Sequence, residues 1–245
     1  MENDKVSVII ASYNRFTYLM NTIRSVKAQT YQNVEIIVVN DCSTQPEYYT
    51  FDFESNGVKI INLEKNSKEI HGFACPGGYQ RNFGMEIALG KYIAFCDDDD
   101  IWFPHKLTMQ IDMMKKSGCK MSCTEALIGS GVFNRNKQYK RYTADYAFNY
   151  INKIYQIQRV PLIKNGNFRV IWDLAILKIN NCCVCSSVVI EKSVIETSGN
   201  FKSMKTADDY DYWLRVLEHT NCVYIAKPCV YYDSGHGDGQ NYKAV

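Results

Sequence analysis

The chain has 245 residues, 46% apolar and 22% charged, a globular composition that excludes disorder, collagen and coiled coil. Twenty-eight Lys and Arg against 26 Asp and Glu leave a formal charge of +2, too weak a field to draw nucleic acid as a bulk partner. A chain of this length buries roughly 70–75% of its extended surface, so its core needs no disulfide or metal staple.

The ten cysteines sit largely in apolar runs, as Cys96 does after Tyr92-Ile93-Ala94-Phe95. Free cysteine is a small buried hydrophobe in reducing compartments. Met1 to Lys5 lead straight into a strand-like run with no secretory leader. No window reaches the roughly 20 apolar residues of a membrane span. The expectation is a cytoplasmic protein without a transmembrane segment, with peripheral membrane contact left open.

Val6 to Ile10 is short, apolar and β-branched, and Ser12-Tyr13-Asn14-Arg15 follows it. Leu19, Ile23 and Val26 then recur at helical spacing. Val34 to Val39 reads as a second strand, ending in Asn40-Asp41-Cys42-Ser43-Thr44. Val58 to Leu63 reads as a third. A helix is expected over Tyr79 to Leu89, stopped by Gly90, and a fourth strand over Lys91 to Phe95. This order predicts an α/β fold, a mainly parallel sheet with helices on both faces. Ligands of such sheets bind beyond the carboxyl ends of the strands, where the polar clusters fall. Pro104 suits the first turn of the next helix, which Ser117-Gly118 closes. Residues 130–180 are irregular and rich in Tyr, Asn, Lys and Arg. Val184 to Ile190 reads as a buried strand, Ala207 to about His219 as a helix, Cys222 to Tyr232 as the last strand, and residues 234–240 as a glycine-rich tail.

The sharpest feature is Asp97-Asp98-Asp99-Asp100 directly after an apolar strand. Four adjacent carboxylates repel one another and resist burial, so they need solvent or a cation. Strand alternation would put Asp97 and Asp99 on one side, where two carboxylates can hold Mg²⁺ or Mn²⁺ together with a substrate diphosphate. Asp41 either accepts hydrogen bonds from a base or ribose, or closes an Asx-type turn. Tyr13 stacks on a base or covers the sheet edge. Arg81 neutralises phosphate charge or is a solvated helix residue. Of Asp208 and Asp209, one can cap the helix they open and the other can face the cleft as a general base. His236 is a candidate metal or phosphate ligand on a closing tail. Cys182-Cys183-x-Cys185 and Cys119-x-x-x-Cys123 look like fragments of a zinc site, but the first is crowded and no partner pair follows; buried thiols are the expectation. Neither a Walker loop nor a GxGxxG fingerprint is present, and there is no G-x-S-x-G elbow.

Taken together, Val6 to Arg15, Val38-Val39-Asn40-Asp41-Cys42-Ser43, Gln80-Arg81-Asn82-x-Gly84 with Ala88-x-Gly90-Lys91-Tyr92-Ile93, Asp97 to Trp102, and Asp208-Asp209-Tyr210-Asp211-Tyr212-Trp213-Leu214-Arg215 resemble the motifs of family 2 glycosyltransferases with the GT-A fold. The likeness is strong over residues 5–118, weak to about 181, and returns over 182–232. It implies a Rossmann-like, mostly parallel central sheet in one domain over 1–245. Residues 1–118 would be the nucleotide-sugar half and 119–245 the acceptor and catalytic-base half. It further implies inverting transfer of a sugar from a nucleotide diphosphate sugar, a UDP-sugar first, to a glycan, lipid-linked or protein-linked acceptor, with Mn²⁺ or Mg²⁺. Asp209 would be the base with Asp208 beside it. Asp41 would bind the nucleobase, with Ser12 and Tyr13 lining the nucleoside pocket. Asp97 would stand near the ribose with Asp98 beside it, Asp99 would ligate the metal, Arg81 would place the donor and His236 would help close the site. Asn40 replaces the family's first Asp, and Cys42 stands where a small Asn or Gly is usual, where its side chain restricts positive φ and would alter donor-base contacts. The Gln-x-x-Arg-Trp segment of processive synthases is missing. A sugar-nucleotide pyrophosphorylase and a non-catalytic nucleotide-sugar or glycan-binding module are the alternatives. A monomer and a homodimer both remain open.

Overall fold

The computed structural model describes residues 4–158, 163–164, 167–168 and 170–235. Alternation in the first strands builds two apolar cores, one on each sheet face. In β1 (Val6–Ser12), Val6, Val8 and Ile10 enter one core and Ile9 the other. In β2 (Val34–Asn40), Ile36 and Val38 face the first, Ile37 and Val39 the second. Between them α1 (Phe16–Lys27) lays Leu19, Ile23 and Val26 on the first core. After α2 (Glu47–Thr50) come β3 (Val58–Asn62), α3 (Ser67–His71), α4 (Gly78–Ile87) and β4 (Tyr92–Asp97). Met85 of α4 packs on the second core, and Phe95 of β4 joins it.

β5 (Ile101–Trp102) leads into α5 (Lys106–Ser117), which covers the first core with Leu107, Ile111 and Met114 and ends on left-handed Gly118. β6 (Met121–Gly129), β7 (Lys140–Arg141), a π-helical turn (Thr143–Ala147) and α6 (Phe148–Gln158) follow. The remaining elements are β8 (Ile163–Lys164), β9 (Asn167–Phe168), β10 (Ile171–Trp172), α7 (Leu174–Leu177), β11 (Val189–Glu191), α8 (Lys192–Ser198), α9 (Asp208–Val216) and β12 (Cys222–Asp233). Tyr212, Trp213 and Val216 of α9 close the second core.

The main sheet runs β10-β12-β6-β11-β4-β1-β2-β3, with β5 on β12 and β7 on β6. Pairing is parallel across β4-β1-β2-β3 and between β6 and β12. The expected α/β class, with a mostly parallel sheet between helices, is therefore present. The Rossmann-like expectation holds only for the first half, because β11 enters antiparallel between β4 and β6. The carboxyl ends of β1, β2, β4, β6 and β12 thus share one edge.

Two local expectations change. Val184 to Ile190 is not one strand: Ser187 N donates to Val184 O at 2.9 Å, a one-turn 3₁₀ helix forms over Cys185–Ser187, and only Val189–Glu191 pairs. That turn sets Ser186 Oγ 2.8 Å from the Asp97 amide. Gly90 does not stop α4, which ends earlier at Ile87. An added Cβ at Gly90 would lie 2.6 Å from the Ser7 nitrogen, so the glycine permits close backbone approach. Gly84 does the same for helix on sheet, where a Cβ would meet Ile9 Cγ2 at 2.5 Å. Gly84→Ala should therefore cost about 1–3 kcal/mol, read as a lowered urea midpoint with unchanged slope.

Candidate active site

A cleft opens at the carboxyl edge, lined by Ser12, Tyr13, Asp41, Arg81, Asp97, Asp98, Asp99 and Asp233 among others. Asp41 is buried, and its carboxylate accepts from Ser67 N at 2.8 Å and Ser67 Oγ at 2.7 Å. It thereby anchors the start of α3 while bordering the cleft. Asn40 is fully buried; its Oδ1 accepts from Ser43 N at 3.0 Å and its Nδ2 donates to Asn62 Oδ1 at 2.8 Å. The departure at residue 40 thus supplies a donor that ties β2 to β3. Cys42 nonetheless adopts φ 57°, a left-handed backbone that its side chain disfavours.

The aspartate run is not an extended strand with alternating sides. β4 ends at Asp97, and Asp100 N returns to Asp97 O at 3.2 Å. Asp97 pairs with Arg81, while Asp98 and Asp99 turn together onto Arg15, whose Nη1 lies 3.0 Å from Asp98 Oδ1 and 2.9 Å from Asp99 Oδ2. Ser12 Oγ donates to Asp98 Oδ2 at 2.7 Å and also bonds the Tyr48 hydroxyl. Ser12 lines the cleft, but its hydroxyl is committed to holding the loop. Asp100 is wholly buried and accepts from Asp233 N at 2.9 Å. Burial raises the carboxyl of Asp99 well above its ordinary range, and Asp98 adds to this. Sequence alone gives Arg15 no role, because a single arginine after a strand carries no distinguishing signal.

Asp97, Asp99 and Asp233 line one cleft, and Asp233 adds to the charge that Asp99 feels, but their carboxylate oxygens do not gather within 4.8 Å of one another as Asp97 pairs with Arg81 and Asp99 with Arg15. Oxygen donors of this kind fit Mg²⁺ or Mn²⁺, and a divalent cation would relieve the crowding. His236 falls outside the described residues.

A second cavity adjoins the first. Pro76, Arg81, Asp97 and Tyr232 border both, and Tyr142, Asn181, Cys183, Asp208 and Asp209 line the second. Here the two acids at the start of α9 divide their work. Asp208 is buried; its Oδ2 accepts from Gly78 N at 2.7 Å and its Oδ1 from Asp209 N at 2.8 Å. It joins the first turns of α4 and α9. A Cβ on Gly78 would sit 2.5 Å from Asp208 Oδ2, so glycine is required there. Asp209 Oδ1 accepts only from its neighbour Tyr210 N, at 2.6 Å, among the described residues, and Asp209 borders the cavity. Burial, then the Asp208 charge, pushes its carboxyl up to about 7, against the pull of Arg81. Ala207, just before them, holds φ 56°, a left-handed conformation that costs about 1–3 kcal/mol for a residue with a side chain.

The model described as Glycosyl transferase family 2 matches residues 7–180. The chain belongs to this family. As a member of glycosyl transferase family 2 it is an enzyme of the glycosyltransferase class. It is 32% identical over 219 residues to "UDP-Glc:alpha-D-GlcNAc-diphosphoundecaprenol beta-1,3-glucosyltransferase WfaP" of Escherichia coli, covering 86% of this chain and 70% of that protein. WfgD of the same organism, named for the same activity, is 27% identical over 224 residues, 90% of this chain and 73% of WfgD. An "Uncharacterized glycosyltransferase" of Rickettsia bellii is 36% identical over 124 residues, 51% of this chain but 17% of its own length. The chain thus spans under a fifth of that relative. Staphylococcus aureus TarS 1-349 in complex with UDP-GlcNAc superposes with a TM-score of 0.68 at 17% identity, over 98% of this chain and 62% of that one, which shows a shared fold.

Residues 130–180 are the stretch that sequence resolved least. Of the tyrosines in the irregular stretch, Tyr142 lines the second cavity and meets Tyr232 edge-on at 5.9 Å. Tyr139 packs on Phe133 and Tyr231, whereas Tyr146 and Tyr150 are exposed. Asn181, Tyr232 and Asp233 belong to no sequence motif; the β6–β12 register brings Tyr232 and Asp233 here, and Asn181 lies on the irregular segment before the 3₁₀ turn. No helix among the described residues is long and apolar enough to cross a membrane.

Proposed function

We propose that the chain is a GT-A-type, inverting glycosyltransferase. It moves a sugar from a nucleotide diphosphate sugar, UDP-linked first, to an acceptor hydroxyl in the cytoplasm. The reading rests above all on one observation: Asp209, a carboxyl raised to about 7, lies across the Arg81–Asp97 wall from the acid-lined cleft. Residues 1–118 form the donor half in this account and 119–245 the acceptor half. Asp41 and Tyr13 face the nucleoside, Asp97 with Asp98 behind it the ribose, and Arg81 the diphosphate.

Asp209 takes the acceptor proton as the hydroxyl oxygen attacks the anomeric carbon from the second cavity. A base tuned near the working pH is effective at this. Asp208 holds the α9 terminus against Gly78, so the base is fixed before substrate arrives. The leaving diphosphate departs on the opposite side, which inverts the anomeric centre. Mn²⁺ or Mg²⁺, held by Asp99 with Asp97 or Asp233, would supply charge stabilisation to the leaving diphosphate. The activities for which WfaP and WfgD are named support a sugar on a diphosphate-linked lipid as the acceptor class. The family match does not favour the pyrophosphorylase alternative.

The test is a panel of nucleotide sugars incubated with a GlcNAc-diphospholipid and read by mass spectrometry. One donor should give a product heavier by one hexose or N-acetylhexosamine, with stoichiometric nucleotide diphosphate. Pyrophosphate release from a nucleoside triphosphate, with no glycosylated product from any donor, would defeat the reading.

A further inference from the structure

Outside the cleft, three buried thiols converge from distant parts of the chain. Cys123 lies on β6, Cys222 on β12, and Cys183 on the segment before the 3₁₀ turn. Their sulfurs lie within 4.8 Å of one another, with Cys222 Sγ 3.6 Å from Cys123 Sγ. The parallel register that sets Tyr224 beside Cys123 puts Cys222 one alternation away, on the same sheet face. All three belong to the second core, where each is 1% exposed. Zn–S bonds of about 2.3 Å in tetrahedral geometry separate sulfurs by ~3.8 Å, within the range seen here.

We propose that Cys123, Cys183 and Cys222 bind one thiophilic divalent cation of the Zn²⁺ class, at a site separate from the acid-lined cleft. Soft thiolates select such ions over Mg²⁺ or Mn²⁺. Binding forms three metal–sulfur bonds and releases up to three thiol protons, leaving one net negative charge. Cys183 also borders the cavity that holds Asp209, with Asn181 and Cys185 beside it. The ion therefore fastens that cavity wall to β6 and β12. This last consequence rests on the cavity being the acceptor side; the binding itself does not.

The experiment titrates the full, reduced, metal-free chain with Cd²⁺ and follows thiolate-to-cadmium absorption in the ultraviolet. One equivalent should saturate the band and raise the melting temperature. Asp99→Asn and Cys229→Ser should keep the band, because carboxylates give no such transition and Cys229 lies outside the cluster. Cys183→Ser should lose most of it while circular dichroism stays native. If that variant does not fold, the wild-type titration still decides. Absence of the band in wild type, or its full retention in folded Cys183→Ser, overturns the proposal.

Discussion

Asp209→Asn should lower the transfer rate by roughly 10²–10⁴-fold while leaving UDP binding, measured by calorimetry, unchanged. The variant should also be more stable than the wild type at pH 8. In the folded chain burial and the Asp208 charge raise this carboxyl from the ordinary 3.8 to about 7. Its neutral form is therefore the one that folding favours. That contribution is complete below about pH 4 and is lost as pH rises through about 7. Asn keeps the shape without the charge, so the gain above pH 7 should be on the order of 1–3 kcal/mol, or about 2–4 °C in melting temperature for each kcal/mol. Wild-type activity should rise with pH through an inflection near 7, where the base ionises. Full activity in Asp209→Asn would remove it from the base role.

The second large effect belongs to Arg81. Its buried guanidinium pairs with Asp97, donates to Pro76 O at 3.5 Å and stabilises the ionised form of Asp209. Arg81→Met leaves Asp97, Asp208 and Asp209 without that counter-charge. Breaking a buried ion pair by removing one partner costs about 3–5 kcal/mol, which equilibrium urea unfolding would read. The activity inflection should move to higher pH, because the base loses the cation that favours its charged form. Arg81→Lys should restore part of both. A folded Arg81→Met enzyme with an unshifted profile would show that Arg81 does not tune the base.

How far the sequence carried the account depended on whether a residue acts through its neighbours in the chain. The strands β1 to β4 and the helices α1, α4 and α5 follow from apolar alternation and helical spacing, and the acids gather at the expected edge. The aspartate run shows where that reasoning stopped. Four adjacent carboxylates do need a cation, and part of it comes from the chain itself, Arg15, 83 residues from Asp98. The same physics that pointed to a metal at Asp99 is met in part by a guanidinium, and a turn replaces the alternation expected after β4. Cys123 and Cys222 were separated by 99 residues, so their meeting depends on the β6–β12 register, which no short window contains. The 3₁₀ turn at Cys185–Ser187 hid in an apolar run because Ser187 bonds back to Val184 O while Ser186 turns its hydroxyl to the distant Asp97 amide. Between Asp208 and Asp209 the residues alone left the roles open, and the family resemblance made Asp209 the base. The hydrogen bonds to Gly78 N and Asp209 N show that Asp208 is the one tied to structure.

The central claim is a single displacement with one base on the acceptor side. Proton NMR of the purified product, made from an α-linked UDP-sugar, tests it most directly. The account predicts the large anomeric coupling of a β-linked gluco- or galacto-configured sugar. A small coupling from a retained α linkage would contradict it.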